Sequence, residues 1–138
     1  MITLLDASIW IDFTRARSPG YLKQFIAPYV LAPSAHLAEP VVFEIMRYAL
    51  PKEIGPLTAQ FNAVPMLPTP SDLWQQAAAL GQKCRNKGCT PGALDLLIAQ
   101  IALSNDALVV TFDEDFQGIS ESTGLRAKVL QRPGGGGR

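Results

Sequence analysis

Residues 2–10 decide the fold of this chain, and they read Ile2-Thr3-Leu4-Leu5-Asp6-Ala7-Ser8-Ile9-Trp10. The first four residues form a mostly apolar run that is too short for a helix, which predicts a buried β-strand. Asp6 stands at the carboxyl end of that strand, and residues 8–15 have the pattern of an amphipathic helix. Open α/β sheets bind their ligands outside the carboxyl ends of the strands. We therefore predict an α/β fold with Asp6 at its functional edge.

A second apolar run, residues 108–111, ends in the same way. Asp113 lies two residues after this run and is followed directly by Glu114 and Asp115. Asp113 is therefore predicted at the same edge of the sheet as Asp6. Further strands are predicted at the end of segment 31–37 and at 128–130, and residues 64–68 are predicted as an edge strand, where proline is tolerated. Helical patterns cover residues 21–27, 57–63 and 71–86.

Two more acids lie early in helices whose starts are marked by proline. Pro40 suits the first position of a helix that runs to residue 50, where Pro51 stops it, and Glu44 lies about one turn in. Pro91 opens a helix over residues 91–104 that is apolar nearly all round, which predicts that the helix is buried. Asp95 is the only charge on that helix, so its presence requires a chemical reason.

Four carboxylates in one crevice favour a bound cation. Two carboxylates about 4 Å apart repel by roughly 4 kcal/mol at an effective dielectric constant near 20, so a group of them requires protonation or a positive charge. Carboxylates without thiolate or imidazole partners are hard oxygen ligands, which suit Mg²⁺ or Mn²⁺ better than zinc or copper. The predicted cofactor is one or two ions of Mg²⁺ or Mn²⁺.

Four short blocks carry these acids in a fixed order: Leu5-Asp6-Ala7-Ser8-Ile9-Trp10-Ile11-Asp12-Phe13, Pro40-Val41-Val42-Phe43-Glu44, Leu94-Asp95-Leu96-Leu97-Ile98-Ala99 and Val110-Thr111-Phe112-Asp113-Glu114-Asp115-Phe116. Together they resemble PIN-domain nucleases, particularly the VapC-type toxins of bacterial and archaeal toxin–antitoxin pairs. The resemblance covers residues 1–132. It implies a single PIN-like domain, a three-layer α/β/α sandwich with a central parallel sheet of four or five strands. Residues 133–138, with four consecutive glycines, are predicted to be a flexible tail.

The resemblance also implies a function and roles for particular residues. It implies a metal-dependent endoribonuclease, the toxin of a type II toxin–antitoxin system, that leaves 5′-phosphate and 3′-hydroxyl ends. Carried over position by position, the catalytic residues and metal ligands are Asp6, Glu44, Asp95 and Asp113. Asp115 is a further metal ligand whose role is not ranked against that of Asp113, and Ser8 and Thr111 are supporting hydroxyls. The implied partners are an RNA substrate, a cognate antitoxin and a second copy of the chain.

The charge balance leaves RNA binding to local patches. The chain of 138 residues has 12 basic and 12 acidic residues, so no net charge draws it toward nucleic acid. The candidate RNA-binding residues are Arg15, Arg17, Arg47, Lys83, Arg85 and Lys87. For the clusters at residues 15–17 and 83–87, the alternative is solvated surface. For Arg47, the alternative is an ion pair with Glu44, three positions earlier. Asp12 is interpreted as part of a solvated helix face or a local cap.

Two other functions are compatible with aspartates at strand ends. A metal-dependent phosphatase or receiver-type enzyme also gathers them, but Ser8 occupies the place where such proteins have a second Asp two positions after the first. A degenerate PIN-like domain that binds RNA or protein without cutting is the other alternative, and the presence of all four acids disfavours it. Cleavage of RNA, hydrolysis of a small phosphomonoester, or neither reaction distinguishes the three.

The remaining features concern location and surfaces. Cys84 and Cys89 match no zinc module and predict free thiols in a reducing compartment, and no apolar stretch approaches the roughly 20 residues that cross a bilayer. We therefore predict a cytoplasmic protein without membrane contact. Apolar side chains recur at helical spacing in two helices. They predict core packing or, alternatively, a groove for an antitoxin segment, and they are Leu22, Phe25, Ile26, Phe43, Met46 and Leu50.

Overall fold

The computed structural model describes residues 1–134, so most of the predicted tail over residues 133–138 lies outside the described part of the chain. In chain order the elements are β1 (Thr3–Leu5), α1 (Ala7–Thr14), α2 (Gly20–Val30), β2 (Ala35–His36), α3 (Glu39–Met46), α4 (Pro51–Asn62), α5 (Leu73–Asn86), α6 (Ala93–Ser104), β3 (Leu108–Thr111), α7 (Asp115–Thr123) and β4 (Ala127–Val129). Within residues 1–134, no helix combines the length and apolar character needed to span a membrane.

The four strands form one parallel sheet in the order β2-β1-β3-β4. The chain leaves β1 toward one edge of the sheet and β3 toward the other, and because crossovers between parallel strands are right-handed as a rule, helices cover both faces. This confirms the predicted α/β sandwich, and of the four or five strands predicted for its parallel sheet, residues 1–134 contain four. The point where the strand order reverses lies between β1 and β3, whose ends pair Leu5 with Val110. Ligands of open α/β sheets bind at such a point.

The core fills the space between the sheet and the helices. Trp10 of α1 is fully buried and packs edge to face against Phe61 of α4, with 5.4 Å between the ring centroids. The apolar residues noted in the sequences of α2 and α3 differ in how far they are buried. Leu22 and Ile26 are buried in the core as predicted, whereas Phe43 is more than half exposed.

The segment around Pro51 differs from its prediction. The helix predicted over residues 40–50 ends at Met46, and the helix predicted from residue 57 already begins at Pro51. Proline is tolerated in the first turn because its missing N–H has no partner there in any helix. The Glu53 carboxylate accepts a hydrogen bond of 2.8 Å from the Leu50 N–H and stabilises this start.

The edge strand predicted over residues 64–68 is reduced to a single bridge. Leu37 donates its N–H to the Pro65 carbonyl and accepts from the Leu67 N–H, each at 2.8 Å. Pro65 and Pro68 have no N–H to continue the ladder, which explains why the pairing stops.

Candidate functional site

Asp6 is held at the junction of β1 and α1. Its backbone N–H donates to the Val110 carbonyl at 3.0 Å, and its extended backbone makes it the N-cap of α1. The residue is only 4% exposed. Its Oδ2 accepts hydrogen bonds from the hydroxyl of Ser8 at 2.9 Å and from that of Thr111 at 2.8 Å. The carboxylate is therefore fixed in position by both neighbouring elements.

The same two hydroxyls also hold the loop that follows β3. Ser8 Oγ accepts the Phe112 N–H at 3.0 Å, and Thr111 Oγ1 accepts the Asp113 N–H at 2.9 Å. The two hydroxyl oxygens lie 3.3 Å apart. The predicted supporting residues thus form one network that joins the carboxyl ends of β1 and β3.

Three acids from separate parts of the chain lie close enough to share one ion. Asp113, in the loop after β3, accepts the N–H of Asp115, the first residue of α7, through Oδ1 at 2.9 Å. Asp95 comes from the first turn of α6. Asp95, Asp113 and Asp115 each offer one carboxylate oxygen, and these three atoms lie within 4.8 Å of one another.

Two shifted pKa values connect Asp6 and Glu44 with these three acids. Burial and, after it, the charges of four other acids together raise the pKa of Asp95 to about 7; the four acids are Asp113, Asp6, Glu44 and Asp115. Burial also raises the pKa of Glu44, as do the charges of Asp6 and Asp113, while Arg47 opposes the shift. The other four predicted acids therefore lie within electrostatic range of Asp95, and the place that the five share is called the acidic crevice below.

The acidic crevice has the composition of a site for a hard divalent cation. It offers carboxylate oxygens from several elements, and the raised pKa values of Asp95 and Glu44 reflect the cost of burying like charges together. A divalent cation removes that cost without protonation. Oxygen donors from carboxylates alone favour Mg²⁺ or Mn²⁺ over the softer metals.

Substituting Asp95 with Asn is expected to stabilise the metal-free protein above neutral pH. The raised folded-state pKa means that the protonated form of Asp95 contributes stability at low pH, and this contribution is lost as the pH rises through about 7. Because Asp95 is only partly buried, solvent screening limits the gain from Asp95→Asn at pH 8 to roughly 1–2 kcal/mol.

Urea unfolding in EDTA at pH 5 and pH 8 measures this effect. The exposed Asp106→Asn variant is the control, and we expect it to change the unfolding free energy equally at both pH values. A gain for Asp95→Asn that is the same at pH 5 and pH 8 would contradict the prediction.

The six candidate RNA-binding cations are all exposed, but they lie in different places. Arg47 acts on the acidic crevice, because its charge lowers the pKa of Glu44. Arg15 follows the last turn of α1, about 14 Å along the helix axis from Asp6. Lys83 and Lys87, at the end of α5, line a shallow surface depression together with the end of α7.

Asp12 and Arg132 form an ion pair that was not predicted from the sequence. Asp12 is buried, and its Oδ2 accepts a hydrogen bond of 2.6 Å from Arg132 Nε, so the solvated helix face predicted for it is wrong. The partner lies 120 residues away in the chain. No local pattern could have identified the pair, because the contact forms only when the segment after β4 packs against α1 in the folded protein.

The cysteines carry no metal-site signature. Cys84 and Cys89 are free thiols, as predicted. Burial raises the pKa of Cys84, which disfavours the thiolate that would be needed for metal binding.

Comparison with known proteins supports one family. The family model for the PIN domain matches residues 3–121. Ribonuclease VapC11 from Mycobacterium tuberculosis is 29% identical over 130 residues, which cover 90% of this chain and 96% of that protein. VapC ribonuclease Mb1587 from Mycobacterium bovis matches with the same identity and coverage.

Solved structures share the fold at lower identity. VapBC2 from Rickettsia felis, bound to a DNA fragment from their promoter, has a TM-score of 0.73 at 18% identity and covers 95% of this chain and 100% of that one. VapBC-1 from nontypeable Haemophilus influenzae has a TM-score of 0.70 at 21% identity and covers 94% of this chain and 98% of that one.

Proposed function

The chain belongs to the PIN-domain family, and from this premise we propose that it is an endoribonuclease and the toxin of a type II toxin–antitoxin system. Its relatives from Mycobacterium are named as ribonucleases and match most of the chain. The observation that carries the proposal is the acidic crevice, which gathers five carboxylates at the carboxyl ends of β1 and β3. In an open α/β sheet this is where the ligand binds.

We propose that Mg²⁺ or Mn²⁺ is the cofactor, as one or two ions. The acids that would hold it are Asp6, Glu44, Asp95, Asp113 and Asp115. Their support is the donor chemistry of the crevice, together with the burial and the mutual repulsion that raise the pKa of Asp95 and Glu44. A bound divalent cation supplies positive charge that lowers the pKa of a water molecule and stabilises negative charge on the phosphate and the leaving oxygen.

The residues of the chain then orient the groups that react. Ser8 and Thr111 fix the carboxylate of Asp6 through Oδ2. Arg47 is an exposed residue whose charge acts on Glu44, and its guanidinium carbon lies 4.5 Å from the centre of the Tyr48 ring, where it can hold a phosphate oxygen of the RNA. Hydrolysis joins the water oxygen to phosphorus and breaks the bond from phosphorus to the 3′ oxygen, which takes up a proton. The products are a 5′-phosphate and a 3′-hydroxyl end.

Cleavage of end-labelled structured RNA by the purified protein tests this function. We expect cleavage with Mg²⁺ or Mn²⁺, none in EDTA, and recovery when metal is added back. The products should have 5′-phosphate ends, which removal of the phosphate by a phosphatase will reveal as a mobility shift.

Each of the other outcomes would support a different function for the protein. Undiminished cleavage in EDTA would contradict the metal requirement. RNA binding without cleavage under all these conditions would favour the degenerate binding domain. Hydrolysis of p-nitrophenyl phosphate without RNA cleavage would favour the phosphatase.

We propose that an antitoxin segment binds a groove of about 580 Å³ between α1, α3 and α4. The groove is lined by apolar side chains such as Ile11, Ile45 and Leu57, with the exposed ring of Tyr48 at its edge. An amphipathic helix is the kind of partner that such a groove accepts. Inhibition of RNA cleavage by the product of an adjacent small reading frame tests the proposal, and Tyr48→Asp, which puts a charge at the exposed edge of the groove, should weaken that inhibition. Inhibition that Tyr48→Asp leaves unchanged would contradict it.

The homodimer and the cytoplasmic location stay predictions. Trp74 is 72% exposed on α5, and it is one large apolar side chain that a second copy of the chain could cover. Sedimentation at several protein concentrations tests self-association, and a monomer at all of them would contradict the homodimer.

A further inference from the structure

An arginine beyond β4 contacts two of the chain segments that surround the acidic crevice, α1 and the loop after β3. Arg132 follows β4 and donates from Nε to Asp12 Oδ2 at 2.6 Å. The Asp12 side chain is 12% exposed, while that of Arg132 is about half exposed. Asp12 belongs to α1, the helix that begins at Asp6. A carboxylate this deeply buried requires a charged partner, so the contact fixes where Arg132 lies.

The same guanidinium covers the loop that carries Asp113. Its central carbon lies 4.4 Å from the ring centroid of Phe112, the residue between Thr111 and Asp113. On α2, Phe25 stacks with Phe112, with 6.4 Å between the centroids and 25° between the ring planes. The ring of Phe112 is therefore fixed by Arg132 and by Phe25, and its backbone N–H is bonded to Ser8.

We propose that Arg132 is a positioning residue for the metal site. It ties α1, which carries Asp6 and Ser8, to residues 111–113, which carry Thr111 and Asp113. By holding these two elements together it sets the spacing between the carboxylates of Asp6 and Asp113. This role rests on the proposed metal-dependent nuclease function, and it assigns to the end of the domain a part in shaping the crevice.

The chain contains a matched control for this arginine. Arg126 and Asp106 form another arginine–aspartate pair, with 2.8 Å between Arg126 Nη2 and Asp106 Oδ1. Both residues precede strands, Asp106 before β3 and Arg126 before β4, so this pair lies at the amino ends of the strands, away from the crevice. Its aspartate is almost fully exposed. Arg126→Ala removes the same side chain without touching the elements that hold Asp6 or Asp113.

Mn²⁺ binding in the absence of RNA is the primary measurement, with kcat and KM for RNA cleavage as the second. We expect Arg132→Ala to weaken Mn²⁺ binding by about tenfold and to lower kcat with little change in KM, because residues that orient metal ligands have effects of this size. Arg132→Lys keeps the charge near Asp12 but lacks the planar group over Phe112, so it should recover part of the loss. Arg126→Ala should bind Mn²⁺ like the wild-type protein.

The outcomes distinguish a role of Arg132 in positioning the metal site from a role in which it only anchors the end of the chain. A lower melting temperature for Arg132→Ala with unchanged Mn²⁺ affinity would overturn the positioning role, as would an equal loss of affinity in Arg126→Ala. If Arg132→Ala does not fold, Arg132→Lys and Asp12→Asn are measured against the same criteria. A wild-type protein that neither binds Mn²⁺ nor cuts RNA would overturn the proposed function and this inference with it, whereas wild-type affinity in the folded variants would overturn the inference alone.

Discussion

Asp6→Asn is expected to lower the rate of RNA cleavage by at least about 100-fold while the protein stays folded. Asparagine caps a helix as well as aspartate does, so α1 keeps its start. The amide oxygen can also accept the hydrogen bonds that Ser8 and Thr111 now donate to Oδ2. What the variant loses is the negative charge at the centre of the acidic crevice. The expected defect is therefore in cation binding and catalysis, and not in folding.

Single-turnover cleavage of the same RNA by the wild-type protein and the variant measures this effect. Asp106→Asn is the matched control, because it makes the same chemical change at an exposed residue at the far edge of the sheet. Its positive φ of 52° is also one that asparagine tolerates. Circular dichroism and Mn²⁺ binding show whether the folded Asp6→Asn protein has lost its ion. Cleavage by Asp6→Asn within a few fold of wild type would exclude Asp6 from the metal site.

Thr111→Val is expected to produce the second largest effect. Valine has nearly the same shape but no hydroxyl, so Asp6 Oδ2 loses a donor and the Asp113 N–H loses its acceptor. Thr111 is fully buried, and leaving such groups unpaired costs about 1–3 kcal/mol of stability. Because both affected acids face the crevice, we also expect cleavage to slow by about 10- to 100-fold, the range for residues that orient metal ligands.

Thr3→Val controls for the loss of a threonine hydroxyl in the same sheet. Thr3 lies at the opposite end of β1 and donates to the Ser34 carbonyl at 3.1 Å. We expect this variant to lose about 0.5–1.5 kcal/mol of stability with no change in the cleavage rate. Urea unfolding and single-turnover cleavage give both quantities for both variants. Equal cleavage by Thr111→Val and Thr3→Val would mean that the hydroxyl network does not support the reaction.

Local sequence was sufficient to locate the acids because each lies next to a recognisable start or end of an element. Asp6 and Asp113 follow short apolar runs, and parallel strands bring their carboxyl ends to one edge. Asp95 lies in the first turn of α6 and Glu44 about one and a half turns into α3, and a proline lies in or just before the first turn of each helix. The catalytic roles carried over to these residues stay predictions until the variants are measured.

Two of the predictions that failed, at Pro51 and at residues 64–68, depended on local signals that fit two structures. Pro51 marks the end of one helix and the first turn of the next, and the pattern alone favoured a stop. Residues 64–68 have strand-like composition, but prolines lack the donors that a ladder needs. In both places the backbone hydrogen bonds decided the outcome.

What the sequence determined by itself is the α/β alternation, the four strands of the sheet and the acids at their ends, because strand and helix patterns and helix starts are properties of neighbouring residues. What only the tertiary structure decided are the contacts between residues that are far apart in the chain. The hydroxyl network joins Asp6 to Thr111 across 105 positions, and the pair of Asp12 and Arg132 spans 120. Such contacts depend on the order of the strands and on the packing of α1 against the sheet, which no local pattern encodes.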